Sequence, residues 1–128
     1  MPKFRFDTKA PVIILTVLLE GKSGSRQKIR VALDTGATYT MIPWETAEIL
    51  ELEPELSGKR IEIITASGVE KAPLVTLKSM VVLGKKIERV EAVVHNLPSK
   101  SYVDGLLGIK SLVELKVKID FDEGILEV

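Results

Sequence analysis

The 128 residues include no cysteine, one histidine, one glutamine and one asparagine. Without cysteine there is no disulfide, no thiolate nucleophile and no thiolate zinc site. A histidine metal cluster is excluded as well, and the sole imidazole, His95, falls in a loop-like stretch where it reads as a surface or loop-packing residue. Long apolar runs are also lacking. The run Val12–Leu19 stops far short of the ~20 residues that a membrane-spanning helix needs. Neither sign of charge is in excess, since 18 Lys and Arg stand against 18 Asp and Glu, so nothing in the balance draws nucleic acid or an anionic membrane. Residues Met1 to Asp7 carry charges where a secretory signal needs an apolar centre, which makes a cytoplasmic location the expectation. Scarce Gln and Asn beside abundant Lys, Glu, Val and Ile match the drift seen in thermophile proteins.

What is present reads as one domain over 1–128, long enough to bury a core without staples. There is no internal repeat and no low-complexity segment. Val12–Leu19 is a β-branched run that reads as a strand buried on both faces, and Lys28–Leu33 as its partner across the loop Glu20–Ser25. Pro43 suits a first helical position, and Trp44, Ala47 and Leu50 would form one face of a short helix over Pro43–Glu51. Arg60–Thr65 and Val69–Leu77 read as strands around a tight tip at Ala66-Ser67-Gly68. Ser79–Leu83, a turn at Gly84-Lys85 and Ile87–Val94 continue the β pattern. A short helix over Leu112–Glu114 and a hairpin of Leu115–Phe121 with Ile125–Val128 complete it.

Chemistry concentrates in Val31-Ala32-Leu33-Asp34-Thr35-Gly36-Ala37-Thr38. An acid at the end of an apolar strand, followed by a hydroxyl residue and a glycine, is poorly placed for a core and well placed for reaction. The glycine lets backbone N–H groups approach the carboxylate. Other motifs fail. Gly21-Lys22-Ser23 ends like a phosphate-binding loop, but Thr16 stands where that loop needs glycine and a strand follows where it needs a helix. Asp120-Phe121-Asp122-Glu123-Gly124 lacks the spacing of a calcium loop and reads as a hairpin turn. Asp104-Gly105 reads as a turn in which the acid accepts local backbone hydrogen bonds. Lys85-Lys86 reads as a solvated strand face.

Leu33-Asp34-Thr35-Gly36-Ala37 resembles the active-site signature of the aspartic proteases. Ile63-Ile64-Thr65-Ala66-Ser67-Gly68-Val69 resembles their flap hairpin, and Leu106-Leu107-Gly108 before Ile109-Lys110-Ser111-Leu112 resembles their late apolar-apolar-glycine element with its helix. One signature in a short chain is similar to the retropepsin-like branch, which works as a homodimer. The resemblance runs from about Pro11 to the C-terminus.

It implies a mostly β fold, a small closed acid-protease-type barrel with one or two short helices and a flap hairpin. It implies Asp34 as the catalytic acid, supported by Thr35, Gly36, Ala37, Leu106, Leu107 and Gly108, and a substrate-binding flap of Thr65, Ala66, Ser67, Gly68 and Val69. Two Asp34 carboxylates paired across a two-fold axis would share one proton and activate a water, with no cofactor and no metal. The partners implied are a second copy and an extended peptide or protein segment bound by strand addition. The alternative is a weak or inactive relative that uses the same dimeric cleft to bind peptides. The long N-terminal region before Val12 differs from a simple interface strand, so a dimer interface carried chiefly by Leu115–Val128 is the expectation.

Overall fold

The computed structural model describes residues 3–128; Met1 and Pro2, the start of the charged N-terminal stretch, lie outside the described residues. The elements in chain order are β1 (Lys3–Arg5), β2 (Ile14–Glu20), β3 (Arg26–Leu33), β4 (Thr40–Ile42), α1 (Trp44–Ile49), β5 (Arg60–Thr65), β6 (Gly68–Val82), β7 (Lys85–Val94), β8 (Gly105–Leu107), α2 (Ile109–Leu115), β9 (Lys118–Asp120) and β10 (Ile125–Glu127), with a 3-10 turn over Pro54–Leu56.

Strand alternation builds the barrel. In β2 the side chains of Leu15, Val17 and Leu19 are buried, while Thr16 between them is exposed and Ile14 and Leu18 are half-buried. The run is therefore covered fully on one face and only partly on the other, because a barrel strand shows its outer face to solvent. β2 pairs antiparallel with β3, and six strands in the order β2-β3-β8-β4-β7-β6 close where β6 returns to β2. Inside lie Val31, Ile42, Leu77, Met80, Val82, Val94 and Leu107, all fully buried; each such side chain contributes on the order of 2 kcal/mol by leaving water.

Local chemistry ends each element. Leu83 and Gly84 both take positive φ, 50° and 83°, the combination a two-residue hairpin turn of matching twist requires. Helix α1 begins after Pro43 and buries Ala47 completely, as Leu50 is just past its end, with Trp44 packed at the edge of the core. Helix α2 spans Ile109–Leu115, longer than its sequence pattern indicates, and its C-terminal carbonyl at Leu115 accepts a 2.9 Å hydrogen bond from Lys85 Nζ. Lys85 is thus a helix-end cap and not a solvated strand residue; a cation there complements the dipole.

β6 runs unbroken over 15 residues where two strands were expected. Its first part pairs with β5 to form a projecting hairpin, and its second part pairs with β7 and β2 inside the barrel. The expected break is a local irregularity in which Lys78 and Arg89 drop out of the β6–β7 register and Arg89 takes φ 53°.

A separate three-stranded sheet has the order β1-β10-β9. β1 gives no period-2 signal in three residues, and it forms because Phe4 pairs with Leu126 while packing on the core. β10 is the middle strand, so both of its edges are used within the chain. Leu126 and Val128 are core residues. Any surface this sheet offers a partner lies on its faces or on the outer edges of β1 and β9.

Candidate active site

Asp34 leaves the end of β3 and the chain returns as β4, with β8 running between the two strands. β8 is parallel to β3 and antiparallel to β4. The Asp34 N–H donates to Leu107 O at 3.0 Å, which continues the β3–β8 ladder into the loop, and Ala37 N–H donates to Asp34 O at 3.3 Å. From the other side α2 holds the loop by its first turn, where Ile109 N–H donates to Ala37 O at 2.7 Å and Lys110 N–H to Thr38 O at 3.2 Å.

Gly36 N–H donates to Asp34 Oδ1 at 2.9 Å, and a Cβ at Gly36 would lie 3.2 Å from that same oxygen. Glycine therefore lets the backbone present a donor to the carboxylate with no side chain pressed against it. Gly108 is needed for space. A Cβ there would meet Tyr39 C and O at 2.4 Å and Thr40 N at 2.8 Å. Its N–H donates to Thr40 Oγ1 at 3.2 Å, and that buried hydroxyl shares a 2.8 Å hydrogen bond with Ser111 Oγ. This small buried network joins β4, β8 and α2 beneath the loop.

Asp34 opens onto a cleft of about 430 Å³. Its floor is Asp34, Gly36, Ala37 and Leu106, with Thr38, Tyr39, Met41 and Val93 beside them, and its roof is Ile61, Glu62, Ile63 and Ile64 of β5. Leu107 lies fully buried below. Thr35 is exposed and makes no hydrogen bond among the described residues. The hairpin tip closes on itself through Thr65 Oγ1, which accepts from Ser67 N–H and donates to Gly68 O, both at 3.2 Å. Thr65, Ala66, Ser67, Gly68 and Val69 do not line the cleft; the stem of the hairpin does.

Sequence reasoning thus missed Tyr39, Met41, Ile61, Glu62 and Val93 as cleft residues. Alternation marks Ile61 and Ile63 as one face of β5, but only the fold shows what that face meets. Tyr39 sits on a second small core of Ala72, Leu74 and Val93 with Ile61 and Ile63. The Lys110 ammonium lies 4.8 Å from its ring centroid and 3.4 Å from Glu91 Oε1, a cation–π contact that steadies the ring.

Asp104 differs from its expected role. Its Oδ2 accepts from Arg30 N–H at 2.9 Å, and its own N–H donates to Arg30 O at 2.8 Å. The acid extends the β3–β8 pairing instead of closing a local turn. His95 Nε2 lies 3.7 Å from Glu70 Oε2 at the stem of the hairpin, and its N–H donates to Ile42 O. Among the described residues no group of three or more His, Cys, Asp and Glu could hold a metal ion, and no helix is long and apolar enough to cross a membrane.

The aspartyl protease family model matches residues 15–110, which takes in the Asp34 loop, the hairpin and the Leu106-Leu107-Gly108 element. The chain belongs to the aspartyl protease family. Its fold is similar to that of a retropepsin-like aspartic protease from Rickettsia conorii, with a TM-score of 0.60 and 23% identity over 91% of this chain and 93% of that one. No curated protein matches the chain. The resemblance of the motifs thus holds for the aspartyl protease family, and the likeness to a retropepsin-like protein is one of fold.

Proposed function

We propose that this aspartyl protease family member is an active endopeptidase whose catalytic unit is a homodimer. The observation that carries this reading is the placement of Asp34: a half-exposed carboxylate that accepts from Gly36 N–H, on a loop tied by backbone bonds to β8 and α2, at the floor of an apolar-walled cleft. One carboxylate is not enough for the reaction. Peptide hydrolysis without a covalent intermediate needs one group to take a proton from water and another to give one to the carbonyl oxygen. A two-fold axis beside the Asp34 loop would bring a second Asp34 to the first, and two carboxylates that close hold one proton between them. The unprotonated one takes a proton from the water as its oxygen attacks the carbonyl carbon, and the protonated one donates to the carbonyl oxygen. The resulting tetrahedral diol collapses as the leaving nitrogen is protonated.

The β5–β6 hairpin acts as the flap. Its stem roofs the cleft, so an extended peptide would lie between Ile61–Ile64 above and Leu106 below, with alternate side chains in the apolar walls. We place the enzyme in the cytoplasm.

The test compares the wild type with Asp34→Asn on a denatured protein and a mixed peptide library from acidic to neutral pH. The substitution keeps shape and removes the shared proton, so the rate falls by at least the 10²–10⁴ that general acid–base catalysis is worth, about that order of magnitude. Specific activity of the wild type also falls on dilution as dimers part. Cleavage that persists in the mutant, or activity held by a demonstrably monomeric protein, overturns the proposal. An inactive wild type that still binds peptides in the cleft would make it a binding module.

A further inference from the structure

A second concavity, of about 410 Å³, lies on the outer face of the β6–β7 hairpin. Four cations line it, Lys22, Lys78, Lys86 and Arg89, against one acid, Glu88. Two of these come from stretches that the protease reading leaves unused: Lys22 from the loop after β2, and Lys86 from the Lys85-Lys86 pair. Lys78 lies 3.8 Å from Glu20 Oε2, but Lys22, Lys86 and Arg89 have no ion-pair partner among the described residues. In a chain of no net charge this is a separation of charge, because Glu48, Glu51, Glu53 and Glu55 line a different concavity.

The groove connects to the cleft along one sheet face. Val93 borders the cleft, and Glu91 and Arg89 follow it at two-residue steps on β7. Leu74 and Thr76 pair with Val93 and Glu91, and Lys78 comes next on β6. Side chains at such steps share a face, and four residues cover roughly 13 Å. The one acid on this track is neutralised, since Glu91 lies 3.4 Å from Lys110 and 3.9 Å from Lys59. A chain leaving the cleft along this face meets no free negative charge before the basic groove.

We propose that this groove is an exosite for an acidic segment of the polypeptide substrate, a few residues removed from the bond held at Asp34. The inference rests on the protease reading for the word substrate, but binding to the groove does not need catalysis. The four cations stand around an open groove, which suits an extended acidic peptide, and exposed charge pairs of this kind select partners and weaken as salt rises.

The test uses the full chain with Asp34→Asn, so that nothing is cut, and follows the anisotropy of a labelled Glu-rich peptide at low salt. The expected result is saturable binding that weakens about tenfold in Lys78→Glu/Arg89→Glu, and similarly in Lys22→Glu/Lys86→Glu should the first pair fail to fold. Reversing two charges that do not line the groove, Lys100→Glu/Lys118→Glu, leaves binding unchanged. In the active chain, an acidic extension raises kcat/KM of a cleavable peptide, and the groove variants abolish that gain without altering the plain peptide. Equal binding by groove and control variants overturns the exosite, and so does an oligonucleotide that binds more tightly than the peptide. Binding that follows the groove in a chain that cleaves nothing leaves the acidic-peptide site standing and removes the protease reading.

Discussion

The loop 34–39 and the β5–β6 hairpin face each other across one cleft and are held in opposite ways. The loop is tied from two directions, by β8 through Asp34 N–H and by α2 through Ile109 and Lys110 N–H, above the buried Thr40–Ser111–Gly108 network. β5 pairs with β6 alone. Its tip bonds only to itself, and the cross-strand pair Ile64 and Val69 is 88% and 66% exposed. The acid-bearing element is over-determined and the roof is tethered only at its base, which is the division of rigidity a site needs if one part must stay and the other must open.

The same substitution placed in each region separates them. Gly108→Ala drives a methyl into the Tyr39 and Thr40 backbone, which cannot yield as a side chain tip could; we expect a loss of about 3 kcal/mol or more in urea unfolding. Gly68→Ala, with φ 117° and open space around it, costs about 1 kcal/mol through backbone strain alone. Equal losses at the two positions would erase the contrast.

Thr40→Val asks whether the buried network or mere packing holds the loop. It keeps shape but leaves Gly108 N–H without its acceptor and Ser111 without its partner. The expected cost is about 2 kcal/mol, and Ser111→Ala in the same background should then add little, which a double-mutant cycle measures.

The smallest effect lies outside both regions, at the β2–β6 seam that closes the barrel. Ser79 donates to Glu20 Oε1 at 3.1 Å and so lowers the Glu20 pKa from its ordinary value of about 4.5, helped by nearby Lys78, Arg26 and Lys86 and opposed by desolvation. A lowered carboxylate pKa stabilises the fold at pH above the ordinary value, and that contribution is lost as pH falls through the folded-state value. Glu20→Gln should therefore melt slightly lower than wild type at neutral pH, with the gap closing in acid. A gap that widens in acid would reverse the assignment.

Much of this was legible in the residues because the signals are local. Asp34-Thr35-Gly36 and Leu106-Leu107-Gly108 mark the two strand ends that meet, the apolar and β-branched runs mark β2, β3, β5 and β7 as strands, and the family resemblance of the motifs points to a small closed barrel. What stayed hidden depends on strand order. Tyr39, Met41 and Val93 become cleft residues only when β8 lies between β3 and β4 and β7 pairs with β4. The stem of the hairpin, not its tip, lines the cleft, because β6 pairs with β5 up to Pro73 and with β7 from Leu74, and no residue pattern states where one pairing gives way to the other. β1 was invisible because a lone Phe between Lys and Arg has no period; it is a strand only because β10 offers an edge.

That last pairing sets an order of events during synthesis. β1 leaves the ribosome early and β10 almost the whole described chain later, yet Phe4 finds its cover only on Leu126 and the core around it. Until β10 has emerged, the core cluster that takes in Leu112 and Leu115 of α2 lacks Leu126 and Val128, and α2 is one of the two supports of the Asp34 loop. A nascent chain would therefore carry Asp34 on an unfinished mount until β10 had emerged.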